Sequence, residues 1–170
     1  MKITVTKLTL HKLMYEACAA TSGGRVPNID PYRLYKSEHS PIRTQIFWVE
    51  MRGIPTFVSV HFVRHKVGVE HFVKSNRPDR GGDGEANRMT PVDHSMLINA
   101  QALITMARKR LCNKASVQTR GIMYEIRDQV ALVDDALARA MVPDCIYRHE
   151  CHELKPCNQH EAPKESALCA

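Results

Sequence analysis

The apolar run GIPTFVSVHFV, residues 53–63, ends abruptly in RHKVGVEHFVKSNRPDR, residues 64–80, where seventeen residues hold seven potential cations. A chain with this junction must bury the first stretch and bring the second out at a surface. The run is far shorter than the roughly 20 apolar residues that cross a bilayer, so it belongs in a core. Its β-branched content fits a strand, and its length equally fits a short buried helix. The charge that follows admits three readings: a solvated basic loop, a nucleic-acid patch, or a small pocket for phosphate groups. Arg64, His65 and Lys66 come directly off the apolar run, so a folded core holds their backbone in place. Arginine presents a planar fork that matches phosphate, and Ser75 and Arg77 add a hydroxyl and a second guanidinium on an adjoining loop.

With 170 residues and 44% hydrophobic content, the chain suits one domain with a substantial core. A net charge of +6 favours anionic partners, while 6% aromatic content leaves few stacking platforms for single-stranded nucleic acid. Small phosphorylated ligands are therefore preferred. A basic nucleic-acid-binding module is the rival from another class, but no zinc-finger, RNA-recognition or helix-turn-helix signature accompanies it. The opening MKITVTKLTLHKL lacks the apolar h-region of a signal peptide, which makes a cytoplasmic location and no membrane partner the expectation. Six cysteines in such a chain read as free thiols or metal ligands. Cys18 and Cys112, in apolar surroundings, read as buried structural thiols.

Residues 2–10 alternate as a strand, residues 11–20 read as a helix stopped by TSGG, and residues 28–41 as a polar, proline-bounded loop. Residues 44–51 alternate as a half-buried strand, followed by a turn at residues 52–55. Residues 78–91 read as a flexible glycine-rich loop. Apolar side chains at Met96, Leu97, Ala100, Leu103, Ile104, Ala107 and Leu111 predict one amphipathic helix over residues 93–112. Asn99 and Arg110, eleven residues apart, fall on nearly the same face of such a helix, with Gln101 about 200° from Asn99. A second helix is expected over residues 116–140, and residues 158–170 read as a disordered tail.

RHK followed by Ser75-Asn76-Arg77 resembles the RHR…SxR signature of flavin-dependent thymidylate synthases, the ThyX family. Neighbouring segments agree in order. Glu38-His39-Ser40-Pro41 with the strand TQIFWVEM is similar to the segment upstream of the signature, and NAQALI…RKRL is similar to the family's N-x-R-x-L helix ending in R-L. ASVQTR stands where the family has an AQWEIR-like stretch, so the resemblance spans about residues 36–145.

The resemblance implies an α+β fold, a single ThyX-like catalytic domain over residues 1–157 with a central, mostly antiparallel sheet packed by helices. It implies assembly as a homotetramer with shared active sites. It further implies reductive methylation of dUMP to dTMP, with FAD as cofactor and NADPH and methylenetetrahydrofolate as co-substrates. A related flavin-dependent one-carbon modification of a pyrimidine nucleotide is the close alternative. Carried over position by position, Arg64, His65, Lys66, Ser40 and Asn99 would contact FAD. His61, Ser75, Arg77, Arg88 and Arg110 would contact dUMP, with Arg110 the catalytic cation beside the uracil ring. Several positions depart from the pattern. Lys66 replaces an arginine, Gln101 replaces an arginine, His61 replaces a glutamine, the serine comes one residue late, and the stretch between Arg77 and Arg88 is short.

Cys145, Cys151 and Cys157 follow a C-x5-C-x5-C spacing, with His149 and His152 between them. Structural zinc sites usually pair their ligands at C-x2–4-C, which this segment (residues 145–157) lacks. The preferred reading is reduced thiols that anchor a loop without a metal, with Cys145, Cys151, Cys157 and His149 as the candidate ligands should one bind.

Overall fold

The computed structural model describes residues 1–82 and 84–157; the tail expected to be disordered, residues 158–170, lies outside them. Four strands form one sheet of order β1-β2-β4-β3, antiparallel throughout: β1 (Lys2–Lys7), β2 (Ile46–Pro55), β3 (Val69–Val73) and β4 (Pro91–Asn99). Alternation explains the strands. Ile3, Phe47, Val49, Met51, Met96 and Ile98 point into the core, while Trp48, Glu50, Leu97 and Phe72 lie on the other face. Helices α1 (His11–Thr21), α3 (Thr56–Phe62), α4 (Ala100–Arg110), α5 (Val117–Val133) and α6 (Asp135–Ala140) contribute to the same core. This is an α+β architecture. No helix among the described residues is long and apolar enough to cross a membrane.

Several expectations are corrected. Residues 93–112 are not one helix. Residues Pro91–Asn99 form the central strand β4, and α4 starts only at Ala100. His94, Met96 and Ile98 are buried at period two, but Met96 and Leu97 also fit the helical spacing of Ala100, Leu103 and Ile104, so the two periods overlap. Asn99 marks the changeover by capping α4, its Oδ1 accepting the Ala102 N–H at 2.9 Å.

The polar loop at residues 28–41 contains α2 (Pro31–Ser37). Asp30 caps it by accepting from Tyr32 N–H, and Pro31 occupies the first turn. The basic stretch hides β3, which pairs with β4. The ambiguous run at 56–63 folds as helix α3, and the turn expected at 52–55 belongs to β2, where a bulge sits between Met51 and Ile54.

The helix expected over residues 116–140 is two helices. They break at Asp134 (φ −159°, ψ 80°), which ends α5 and caps α6 by accepting from Leu137 N–H at 3.1 Å. Its other carboxylate oxygen accepts from Lys7 Nζ at 2.7 Å, Tyr35 OH at 2.7 Å and His11 Nε2 at 2.9 Å, tying β1, α1 and α2 to the break. The cysteine-rich segment begins with a short helix, α7 (Asp144–Arg148).

Candidate active site

Helix α3 delivers the signature to the surface. His65 N–H still bonds to Phe62 O at the helix end, and Gly68 turns the chain into β3 with φ +75°. The Gly68 carbonyl accepts from Asn99 N–H at 2.9 Å, so the signature turn and the start of α4 are fastened together. A β-carbon on Gly68 would come within 2.5 Å of the Asn99 side chain, which is why glycine stands there.

Helix α4 brings Arg110 onto the same turn. Its Nε–H donates to His65 Nε2 at 3.0 Å, and an Nη–H donates to the His61 carbonyl at 2.7 Å. His65 therefore accepts at Nε2 and carries its hydrogen at Nδ1. Burial first, then Arg110 and His71, lower the His65 pKa to about 4, so the ring is neutral at physiological pH. Burial, followed by the charges of Arg110, Arg64 and Arg88, also lowers the pKa of His61. His61 thus feels the positive charge of three arginines. Arg88 reaches this cluster by lying over the Phe57 ring, 4.8 Å from its centroid, and Phe57 meets His61 edge-on at 5.6 Å.

Two hydrogen-bond chains built from residues outside the expected set orient these groups. Thr119, fully buried on α5, lies 2.8 Å from His61 Nδ1 and itself accepts from Ser116 Oγ at 2.7 Å. The Thr119 hydroxyl then donates to Nδ1, leaving Nε2–H of His61 to face outward. Beneath the signature runs a second chain of groups. The His65 carbonyl can only accept, so His71 Nε2 donates to it at 2.7 Å. His71 Nδ1 therefore accepts from His94 Nε2–H at 2.9 Å, and His94 Nδ1 accepts from Ser59 Oγ at 3.0 Å. His71, counted in the sequence among the surface cations, is half-buried and links the signature to buried His94. The signal for this network is His94, a histidine at a core position of an alternating strand.

His65, Arg110, Lys109, Cys112, Lys114, Ala115 and Glu153 line a cleft of about 290 Å³. Ser75 lines a different one, a groove of about 550 Å³ between the outer side of α3 and the loop after β3, shared with Ser59, Asn76 and Gly82. The single chain thus brings His61, Arg64, His65, Arg88, Asn99 and Arg110 together, and it places Ser75 elsewhere. Arg77 is exposed and held by Asp79 through two bonds of 2.9 and 2.8 Å. Ser40, at the start of a 3-10 turn (Ser40–Thr44), and Lys66 are both exposed.

The cluster Arg108-Lys109-Arg110 divides by environment. Arg108 is largely buried, forms an ion pair with Glu38 and stacks on Tyr147 with its guanidinium 3.5 Å from the ring centroid. Gln101 donates to the same glutamate. Arg108 is therefore a structural cation tying α4 to α2 and α7, rather than a solvated neighbour of Arg110.

No protein-family model matches this sequence, and no curated protein matches it. Solved structures do match its fold. A flavin-dependent thymidylate synthase ThyX from Helicobacter pylori, complexed with FAD and dUMP, superimposes with a TM-score of 0.68 at 11% identity, covering 84% of this chain and 100% of that one. A UMP/dUMP methylase, PolB from Streptomyces cacaoi, bound with 5-Br dUMP, gives 0.63 at 14% identity, covering 82% and 94%. The chain has the fold of flavin-dependent thymidylate synthases.

Proposed function

We propose that this protein is a flavin-dependent methyltransferase that reductively methylates dUMP to dTMP. The observation that carries the reading is the Arg110–His65 pair, with His61, Arg64 and Arg88 around it, on a ThyX-like fold. The residues fit a phosphorylated dinucleotide. Arg64 and Lys66 are exposed at the signature turn, and Ser40 and Asn99 complete the proposed FAD contacts. Arg77 is neutralised only by an exposed aspartate, and such surface pairs contribute about 0–1 kcal/mol, so a phosphate displaces that partner at little cost. His61, Ser75, Arg77, Arg88 and Arg110 are the proposed dUMP contacts. FAD held by these residues would supply the redox chemistry for transferring a one-carbon unit from methylenetetrahydrofolate to dUMP, with NADPH as the source of electrons.

The chain's own contribution is position and charge. Arg110, half-buried and held at two points, aims a cation where negative charge develops on the uracil ring. His61 presents Nε2–H as a neutral donor. Because Ser75 and Arg110 line different clefts of one chain, the complete site is proposed to form between subunits of a homotetramer, the Ser75 groove of one chain meeting the Arg110 cleft of another.

The test is purification followed by reconstitution with FAD. Flavin absorbance, dUMP-dependent oxidation of the reduced flavin and transfer of labelled carbon from methylenetetrahydrofolate to dUMP support the reading. Carbon transfer that yields a group other than methyl redirects it to a related flavin-dependent one-carbon modification of a pyrimidine nucleotide. A protein that takes up no FAD, yet binds oligonucleotides with a steep salt dependence, overturns it.

A further inference from the structure

Of the five cysteines among the described residues, four surround one hollow. Cys112 follows the last turn of α4, Cys145 sits in α7, and Cys151 and Cys157 come from the irregular segment after it. With Asp144, His152 and Glu153 they line a cavity of about 370 Å³. Cys18, the fifth, is in α1. All five are free thiols.

The fold changes the ligand set that the spacing offers. It adds Cys112, thirty-three residues before Cys145, and it removes His149, which lines a separate hollow with Tyr35 and Arg108. A C-x5-C-x5-C segment supplies no close pair of ligands, but a fourth sulfur from the end of α4 makes a set of four soft donors around one space.

Two of these sulfurs already accept backbone hydrogen bonds. Lys114 N–H donates to Cys112 Sγ at 3.4 Å, and the N–H groups of Cys145 and Ile146 bond the Cys145 sulfur. As the chain stands, no three such donors among the described residues converge on one point. The cause lies in how they are carried. Cys145 lies in α7 and Cys112 two residues beyond the end of α4, whereas residues 149–157 have no regular structure. Binding free energy of a structural metal offsets the ordering of such a segment.

We propose that Cys112, Cys145, Cys151 and Cys157 form a tetrahedral four-thiolate site for zinc that closes residues 149–157 onto the end of α4. Four thiolates select a soft, tetrahedral ion over magnesium or calcium. The site would brace the candidate active site. Glu153 lines the His65–Arg110 cleft, and Lys109 Nζ stands 3.9 Å from both Asp144 and Glu153, so the closed segment forms one wall of that cleft.

The full chain, purified in reductant without chelator, is assayed for metal by mass spectrometry, then stripped and titrated with Co2+. The expected result is about one zinc per chain and an intense sulfur-to-cobalt charge-transfer band with tetrahedral d–d absorption. Stripping the zinc should expose about four additional thiols to a thiol reagent. Cys112→Ser and Cys145→Ser should lose the zinc, and Cys18→Ser should keep it. Substoichiometric zinc with no charge-transfer band overturns the proposal, as does full zinc retention in Cys112→Ser. The cobalt spectrum and thiol count are read on the wild-type chain, so a variant that fails to fold leaves the test intact. Neither depends on FAD, so failure here is distinct from failure of the flavin reading.

Discussion

Arg110 and His65 are held in a single hydrogen-bonding arrangement: Nε–H of Arg110 donates to His65 Nε2 at 3.0 Å, while the same guanidinium donates to the His61 carbonyl at 2.7 Å. One side chain from the end of α4 thereby fixes the ring of a signature residue and the backbone one turn before it. Positioning the signature and providing the cation are thus one task, performed by one residue.

The first prediction follows from that double role. Arg110→Ala leaves His65 Nε2 and the His61 carbonyl without their donor, which costs about 1–3 kcal/mol and should lower the melting temperature by several degrees. The functional loss should be much larger, roughly 10²–10³ in dUMP-dependent oxidation of reduced flavin. Arg52→Ala, an exposed arginine on β2, is the control and should change neither. Arg108→Ala is unsuitable as a control because its ion pair with Glu38 and its stack on Tyr147 are partly buried. Equal rates in Arg110→Ala and Arg52→Ala would remove Arg110 from the chemistry.

A second prediction concerns Gly68. At φ +75° an alanine is strained, and its β-carbon would meet Asn99 at 2.5 Å. Gly68→Ala should therefore both destabilise the protein and displace the cap of α4, with reduced FAD retention as the readout. Asn99→Ala removes the cap together with a proposed FAD contact, and in stability it should cost about 1 kcal/mol. If Gly68→Ala costs no more than Asn99→Ala, the close packing of signature turn and helix start is not what the glycine serves.

Much of this site was legible in the sequence because the cations are crowded at the end of an apolar run, and a run must be buried. Arg64, His65, Asn99 and Arg110 do come together. Their setting was less legible. Met96 and Leu97 satisfy strand and helix periods at once, so β4 reads as the first turns of α4. The strand β3 is masked by its own charge, because Glu70, His71 and Lys74 read as solvent-facing loop residues. The place of His71 in the network depends on His94, twenty-three residues away, and on the His65 carbonyl, and no local pattern announces it. Arg108 and Arg110 look alike in sequence, and only α2 and α7, packed beside one of them, tell them apart.

The third prediction is acid destabilisation in a defined window. Burial, then His71, lowers the pKa of fully buried His94 from the usual 6.5 to about 4, and His65 is lowered to about 4 as well. Between those values the unfolded chain binds protons that the folded chain refuses, so stability falls as pH drops from 6.5 towards 4 and is unaffected above 6.5. The His94 share is about 3 kcal/mol when fully developed. Urea midpoints measured across this range should decline in the wild type. In His94→Met the decline should be shallower, although the variant starts less stable. An unchanged slope would mean that His94 is not held neutral by the fold.

The fourth prediction separates Asp134 from the histidines by pH. Burial alone would push this carboxyl up, but hydrogen bonds from Lys7, Tyr35, His11 and the Leu137 N–H outweigh it and lower its pKa. A carboxyl depressed in the folded state contributes stability that is fully present above the unfolded value, about 3.9, and is lost as pH falls below it. At neutral pH, Asp134→Asn should cost about 3 kcal/mol, the lower end of what breaking a buried pair costs, because Lys7 and His11 keep some access to water. Tyr35→Phe removes one donor and should cost about 1–2 kcal/mol. The gap between wild type and Asp134→Asn should persist through the histidine window and narrow only below about pH 4, as the wild-type carboxyl takes up its proton. Urea unfolding at pH 7, 5 and 3.5 reads this directly, and the slope with denaturant should be unchanged. A gap that closes already by pH 5, or an Asp134→Asn cost below that of Tyr35→Phe, would show that the charge on Asp134 is not what holds β1, α1 and α2 to the α5–α6 break.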